Sequence, residues 1–234
     1  MAATYVAAEI SKLLDRNGRG QVGLRERAKE IANKLGPEQA KEWLLAHTKI
    51  TLDLRAAFER KNWAAGDCEG TGLGADDEMC ELAFVRGHDK HPLFSSLLGT
   101  TVPIKPGAEG QHGISNSLIA GKPTFADLQP QIKSSLDGID EIWWYNGEYD
   151  LRIKSQTAFS QGVPDPIWPK YVEVIPLVAQ WIGSWNPKRK SWKFARLEGG
   201  HRAQGDCEHL INCLRNMSES DCEYANDLIE STYG

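Results

Sequence analysis

The sequence predicts an α/β fold: a mixed β-sheet flanked by helices, preceded by an N-terminal helical appendage. Three observations carry this. Residues 1–61 bear apolar positions at helical spacing. From about Trp63 the texture changes to short apolar runs broken by turn residues. Beyond residue 125, strand-like and helix-like segments alternate, the pattern of a sheet with helices packed on it.

In the appendage, Tyr5, Val6, Ile10, Leu13 and Leu14 form one helical stripe, which Asn17–Gly20 interrupts. Leu24–Leu35 reads as a second helix stopped by Gly36, and Pro37 opens a third that runs to about Phe58. These helices hold few aromatic residues, so a thin core is expected, packed on the main domain or on a partner. Met79–Val85 reads as a strand before a turn at Arg86-Gly87, and Leu97–Ile104 suggests another. Phe125–Leu136 is helical in pattern, and Asp140–Tyr145 is a short aromatic strand ended by Asn146-Gly147. Helices are expected at Tyr149–Ser160, at Trp168–Trp185 with a break near Pro176, and at His201–Met217. The expected division is an appendage of residues 1–61 and a main domain of residues 62–234.

A chain of 234 residues suffices for one sizeable core. No run approaches the roughly 18 apolar residues of a membrane span, and the N-terminus lacks the layout of a signal peptide. A cytoplasmic protein with no membrane association is therefore expected. The five cysteines, Cys68, Cys80, Cys207, Cys213 and Cys222, form no Cys-x-x-Cys pair, which argues against a structural zinc site and for reduced, mostly buried thiols. The net charge of −5 conceals an asymmetry. Residues 1–62 hold 12 basic and 8 acidic side chains, leaving 15 basic against 24 acidic in the remainder. An acidic body is awkward for phosphate binding unless carboxylates converge on cations, which invert the local field.

Asp67-Cys68-Glu69 places two carboxylates at i and i+2, on one side of an extended strand, where they repel unless a cation lies between them. Asp150 closes the run Tyr145-Asn146-Gly147-Glu148-Tyr149-Asp150 at the start of a helix, a position an N-cap would also explain. His201 and Asp206 stand five residues apart; on a helix that offset is about 140°, so they would border one cleft without stacking.

In this order the segments resemble the three motifs of the DEDDh (DnaQ-like) exonuclease superfamily, which includes the proofreading epsilon subunit of bacterial DNA polymerase III, RNase T and oligoribonuclease. The first motif is Asp67-Cys-Glu69-Gly70-Thr71-Gly72, the second Tyr145-Asn146 through Tyr149-Asp150, and the third His201-Arg202-Ala203 through Asp206. His112-Gly113-Ile114 followed by Pro123-Thr124-Phe125 is similar to a segment found between the first two. The likeness covers roughly residues 63–217. It departs from the family in the weak strand Trp63–Gly66, in Gly70, and in residues 1–60, which have no counterpart.

The resemblance implies a ribonuclease H-like sheet and a two-metal 3′→5′ exonuclease. Asp67, Glu69, Asp150 and Asp206 would hold two Mg²⁺ or Mn²⁺ ions, hard cations suited to oxygen ligands. His201 would be the general base, its ordinary pKa being near neutrality. Gly70, Thr71, Gly72, Leu73, His112 and Asn146 would contact the terminal nucleotide, with Leu73 wedging between the last two bases. The expected substrate is the 3′ end of a single or mispaired strand, DNA favoured over RNA; an exoribonuclease is the alternative, and a non-catalytic binding or polymerase-docking module a further one. A polymerase partner and a homodimer both remain open. Read from the residues alone, Lys188-Arg189-Lys190 between Trp185 and Trp192 combines phosphate attraction with stacking and is a candidate nucleic-acid contact, against the reading of a solvated loop. Trp143 and Trp144 are assigned to the core.

Overall fold

The computed structural model describes residues 5–14 and 21–233. Helices α1 (Val6–Leu13), α2 (Gln21–Leu35) and α3 (Pro37–Glu59) come first, then strands β1 (Trp63–Gly70), β2 (Met79–Arg86) and β3 (Pro92–Leu97). Helices α4 (Pro106–His112), α5 (Asn116–Ile119) and α6 (Phe125–Ser135) precede β4 (Glu141–Trp144), α7 (Gly147–Ser160), β5 (Lys170–Glu173) and α8 (Ile175–Ile182). A hairpin of β6 (Trp185–Asn186) and β7 (Ser191–Trp192) leads to α9 (Ala203–Ser218), α10 (Cys222–Leu228) and a π-helical turn, Ile229–Tyr233. No helix among the described residues is long and apolar enough to cross a membrane.

The chain forms two compact units. One holds the residues up to Glu59, Val174–Glu198 and the residues from Asn212; the other holds Arg60–Glu173 and Gly199–Ile211. Residues 174–198 and 212–233 group with the N-terminal helices and not with the sheet.

In the helical unit, α3 packs against α2, α8 and α10. The break expected at Asn17–Gly20 lies outside the described residues. Gly36, at φ +101°, ends α2 in a conformation that favours glycine. The core is less thin than the three helices foretell, because α8 supplies Trp181 to stack on His47, with ring centroids 4.4 Å apart. Trp43 Nε1 donates to the Gln180 carbonyl at 3.0 Å. His47 is fully buried: Nδ1 lies 2.9 Å from the Trp181 carbonyl and Nε2 2.8 Å from Ser220 Oγ. Burial pushes its pKa down to about 4, so the ring stays neutral and both nitrogens are used.

In the other unit the five strands run in the order β3-β2-β1-β4-β5, with β1 antiparallel to β2 and parallel to β4. Alternation on β1 sends Cys68 to one face, where Leu82, Phe84, Ile142, Trp144 and Ile153 bury it beneath α6 and α7. Asp67 and Glu69 point to the other face, opposite Ala83 and Glu81 of β2. There Cys207 of α9 lies with Sγ 3.7 Å from the Ala83 carbonyl. Trp143 and Trp144 are both buried, in keeping with their assignment to the core.

Two segments differ from expectation. The strand expected at Leu97–Ile104 is instead β3, ending at Leu97. Beyond it, Leu98 N–H donates to Cys80 and Gly99 N–H to Pro123, while the Asn116 side chain takes both backbone groups of Ile104. Its polar groups are satisfied by loop contacts, so no further ladder forms. The long helix expected over Trp168–Trp185 is a strand, β5, followed by the short helix α8. Local periodicity could not reveal β5, because its pairing partner β4 lies nearly thirty residues earlier.

Candidate active site

On the polar face of β1, Asp67 and Glu69 lie near Asp206 and His201, and Asp150 reaches the β1 backbone from α7. Glu69, His201 and Asp206 each bring a ligand atom to within 4.8 Å of the others. Asp150 sits in the first turn of α7, 4% exposed, and its Oδ1 accepts the Cys68 N–H at 3.0 Å. That bond pins α7 to the middle of the first motif. It also replaces the expected N-cap role of Asp150: the cap is Asn146, at φ +70°, whose N–H donates to Glu173 Oε1 at 3.1 Å.

Burial and mutual repulsion dominate the electrostatics. Burial first, then the charges of Asp150, Glu69 and Asp206, hold the Asp67 carboxyl well above the ordinary range. Burial, with Asp206 and Glu81 next, pushes Glu69 up to about 8. Asp150 rises to about 7 through burial, against the hydrogen bonds it accepts from the Cys68 thiol and N–H. Asp206 rises through burial, offset by His201 and His209. Carboxyls so raised take a cation in exchange for protons.

One detail tests the fit of such an ion. Asp206 is 9% exposed and its Oδ1 has no hydrogen-bond partner among the described residues. A buried carboxylate oxygen without a donor is costly unless it faces a cation. The oxygen set of Asp67, Glu69, Asp150 and Asp206 suits Mg²⁺ or Mn²⁺. Gly199 makes room for it: a Cβ there would stand 1.8 Å from Asp206 Oδ1, so any other residue would displace the carboxylate.

His201 departs from the helical reading. It precedes α9 at φ +50°, exposed, with its Nε2 against the Gln111 side-chain amide. The 140° offset therefore does not apply; a loop, not a helical turn, swings the imidazole toward Asp206.

The loop after β1 is stiff. Thr71 Oγ1 donates to Asp77 Oδ1 at 2.8 Å, Gly74 N–H to Asp77 Oδ2 at 2.6 Å, and Lys105 Nζ meets the same oxygen at 2.6 Å. Tyr149 Oη donates to the Gly72 carbonyl at 3.1 Å, and a Cβ at Gly70 would stand 2.2 Å from that hydroxyl oxygen. Leu73 projects from this loop, 81% exposed. His112 is buried and engaged at both nitrogens: Nδ1 accepts from Ile114 N–H at 3.0 Å, which leaves the Nε2 proton for the Gly70 carbonyl at 3.1 Å. In this structure it braces the first motif.

Lys188, Arg189, Lys190 and Trp192 belong to the helical unit. The three cations are exposed at the β6–β7 tip, where Asn186 Oδ1 accepts the N–H groups of Lys188 and Arg189. Trp185 and Trp192 close the hairpin edge-to-face, 5.2 Å apart.

Sequence reasoning passed over Glu81 and Arg202. Glu81, 5% exposed, is matched by an Arg202 fork and the Ala203 N–H. The available signal was a lone acid in the apolar run Met79–Val85.

Sheet order and flanking helices define a mixed α/β fold of the ribonuclease H-like kind seen in exonuclease structures. No family model matches the chain. It is a homologue of an uncharacterized exonuclease of Escherichia phage 186, 28% identical over 195 residues that span 74% of this chain and 96% of the relative. Among solved structures it is similar to E. coli exonuclease I in complex with a dA16 oligonucleotide, with TM-score 0.53 and 15% identity over 73% of this chain and 43% of that one. It is also similar to exonuclease X in complex with 5′ overhanging duplex DNA, with TM-score 0.47 and 21% identity over 74% and 93%. The homology supports an exonuclease enzyme.

Proposed function

We propose that the chain is a metal-dependent 3′→5′ exonuclease that hydrolyses single-stranded or mispaired DNA 3′ ends to 5′-mononucleotides. The observation that carries this is the convergence of Glu69, Asp206 and His201, with the Asp67 and Asp150 carboxyls close enough for their charges to act on one another. The phage exonuclease homology supports it, and the dA16 complex of exonuclease I, a protein of similar fold, favours DNA over RNA.

Asp67, Glu69, Asp150 and Asp206 would hold two divalent cations, Mg²⁺ or Mn²⁺. When bound, the ions supply positive charge to the scissile phosphate and acidify water. His201, exposed at the rim, takes the proton of the attacking water. The braced Gly70–Gly72 backbone faces the terminal sugar together with Asn146, and Leu73 parts the last two bases.

The direct test is digestion of matched DNA and RNA oligonucleotides labelled at the 5′ end. Stepwise 3′ shortening of DNA with release of 5′-mononucleotides is expected, blocked by a 3′-phosphate and by excess EDTA. Persistence in EDTA would remove the metal from the mechanism, and preference for RNA would select the exoribonuclease reading.

Protonation gives a second test. In the metal-free fold Glu69 and Asp150 titrate near 8 and 7, against about 4 in an unfolded chain. Between those values the folded state binds more protons than the unfolded one, so metal-free stability falls as pH rises through the window. A divalent cation displaces those protons. The rise in melting temperature on adding Mg²⁺ should therefore be larger at about pH 8 than at about pH 5.5. An equal rise at both would contradict the assignment.

The β6–β7 tip would draw the phosphates of the strand. Reversing Lys188, Arg189 and Lys190 together to Glu should weaken single-strand binding and flatten its logarithmic salt slope by about 2. An unaltered slope would take the hairpin off the substrate path.

A further inference from the structure

We infer that Glu81 and Arg202 form a positioning pair that holds the His201 loop and the first turn of α9, and through it Asp206, in register with Glu69. The inference rests on the two-metal reading above.

Glu81 lies directly across from Glu69 in the β1–β2 pairing, so both side chains stand on the polar face of the sheet. Arg202 Nε donates to both carboxylate oxygens at 3.1 Å, Nη2 to Oε1 at 2.7 Å, and Ala203 N–H to Oε2 at 2.9 Å. Both oxygens are thus taken by donors, which leaves Glu81 poorly suited to serve as a further cation ligand. A bidentate guanidinium fixes orientation as well as distance, which an ammonium does not. The carboxylate also meets the first backbone N–H of α9, where a helix favours negative charge. Asp206 follows three residues later, within the same first turn of the helix, and His201 immediately precedes Arg202. One buried acid on β2 therefore sets the position of two groups that come from a distant part of the chain. Arg202 also offsets the charge that Glu81 would otherwise add beside Glu69.

The test compares Arg202→Ala, Arg202→Lys and Glu81→Gln with the parent in three readouts: Mn²⁺ binding by calorimetry, strand cleavage, and melting temperature. Arg202→Ala should lose about 10- to 100-fold in Mn²⁺ affinity or turnover, the scale of losing a group that orients a metal ligand. Arg202→Lys should recover part of the loss. Guanidinium ion at millimolar, non-denaturing concentration should restore Arg202→Ala but not Glu81→Gln, a response that a merely structural role would not give. Should Arg202→Ala fail to fold, Arg202→Lys and Glu81→Gln carry the comparison. Mn²⁺ affinity and turnover within about twofold of the parent, with only melting temperature lowered, would overturn the inference. A parent that neither binds Mn²⁺ nor cleaves would instead overturn the exonuclease reading.

Discussion

Asp150→Asn is expected to lower turnover about 100- to 1000-fold while single-strand binding survives, the scale on which preorganised charge at a reacting centre is lost. The amide has nearly the shape of the carboxylate and can keep accepting the Cys68 N–H at Oδ1. What disappears is one negative charge from a buried cluster in which Asp67 and Asp150 repel each other. Above about pH 7, where Asp150 ionises, the metal-free variant should therefore melt no lower than the parent, and relief of that repulsion should raise its midpoint. Single-turnover kinetics with calorimetric unfolding separates the two effects. An unchanged rate would show that the second motif lies outside the reaction, whereas a collapse in stability would mean that Asp150 serves mainly to hold β1.

His201→Ala should cost at least about 100-fold in turnover, the usual scale for a general base. The imidazole is exposed, with Nε2 against the Gln111 side-chain amide and the ring beside Glu69 and Asp206. Its removal should move stability by no more than about 0.5 kcal/mol, as for surface positions generally. A large catalytic loss with an unmoved melting curve is the signature of a chemical role. A loss well below that scale would make His201 a residue that orients water and does not deprotonate it.

Much of the candidate site was legible because its parts are short and ordered along the chain. Asp67-Cys68-Glu69 could be read as a strand motif from its i, i+2 spacing, and the structure puts Cys68 in the core and both acids on the opposite face. The third motif was legible in composition but not in geometry. A helix was expected to begin at His201, yet α9 begins at Ala203 and His201 takes a left-handed backbone. Periodicity reports regular structure, and a catalytic side chain on a loop is invisible to it. Glu81 escaped for a different reason: its partners, Arg202 and Ala203, lie some 120 residues away and only the fold brings them together. The same limit hid β5, whose ladder is made with β4, and the grouping of α8 and α10 with the N-terminal helices.

Cys68 lies between two of the proposed ligands, packed in the apolar core with its thiol hydrogen-bonded to the Asp150 carboxyl, and burial with the neighbouring acids pushes its pKa far up. Buried there, it meets a thiol reagent only when β1 separates from the helices that cover it. The rate at which an alkylating agent modifies this sulfur is therefore a clock for the opening of the catalytic strand, readable without substrate and before any cleavage occurs.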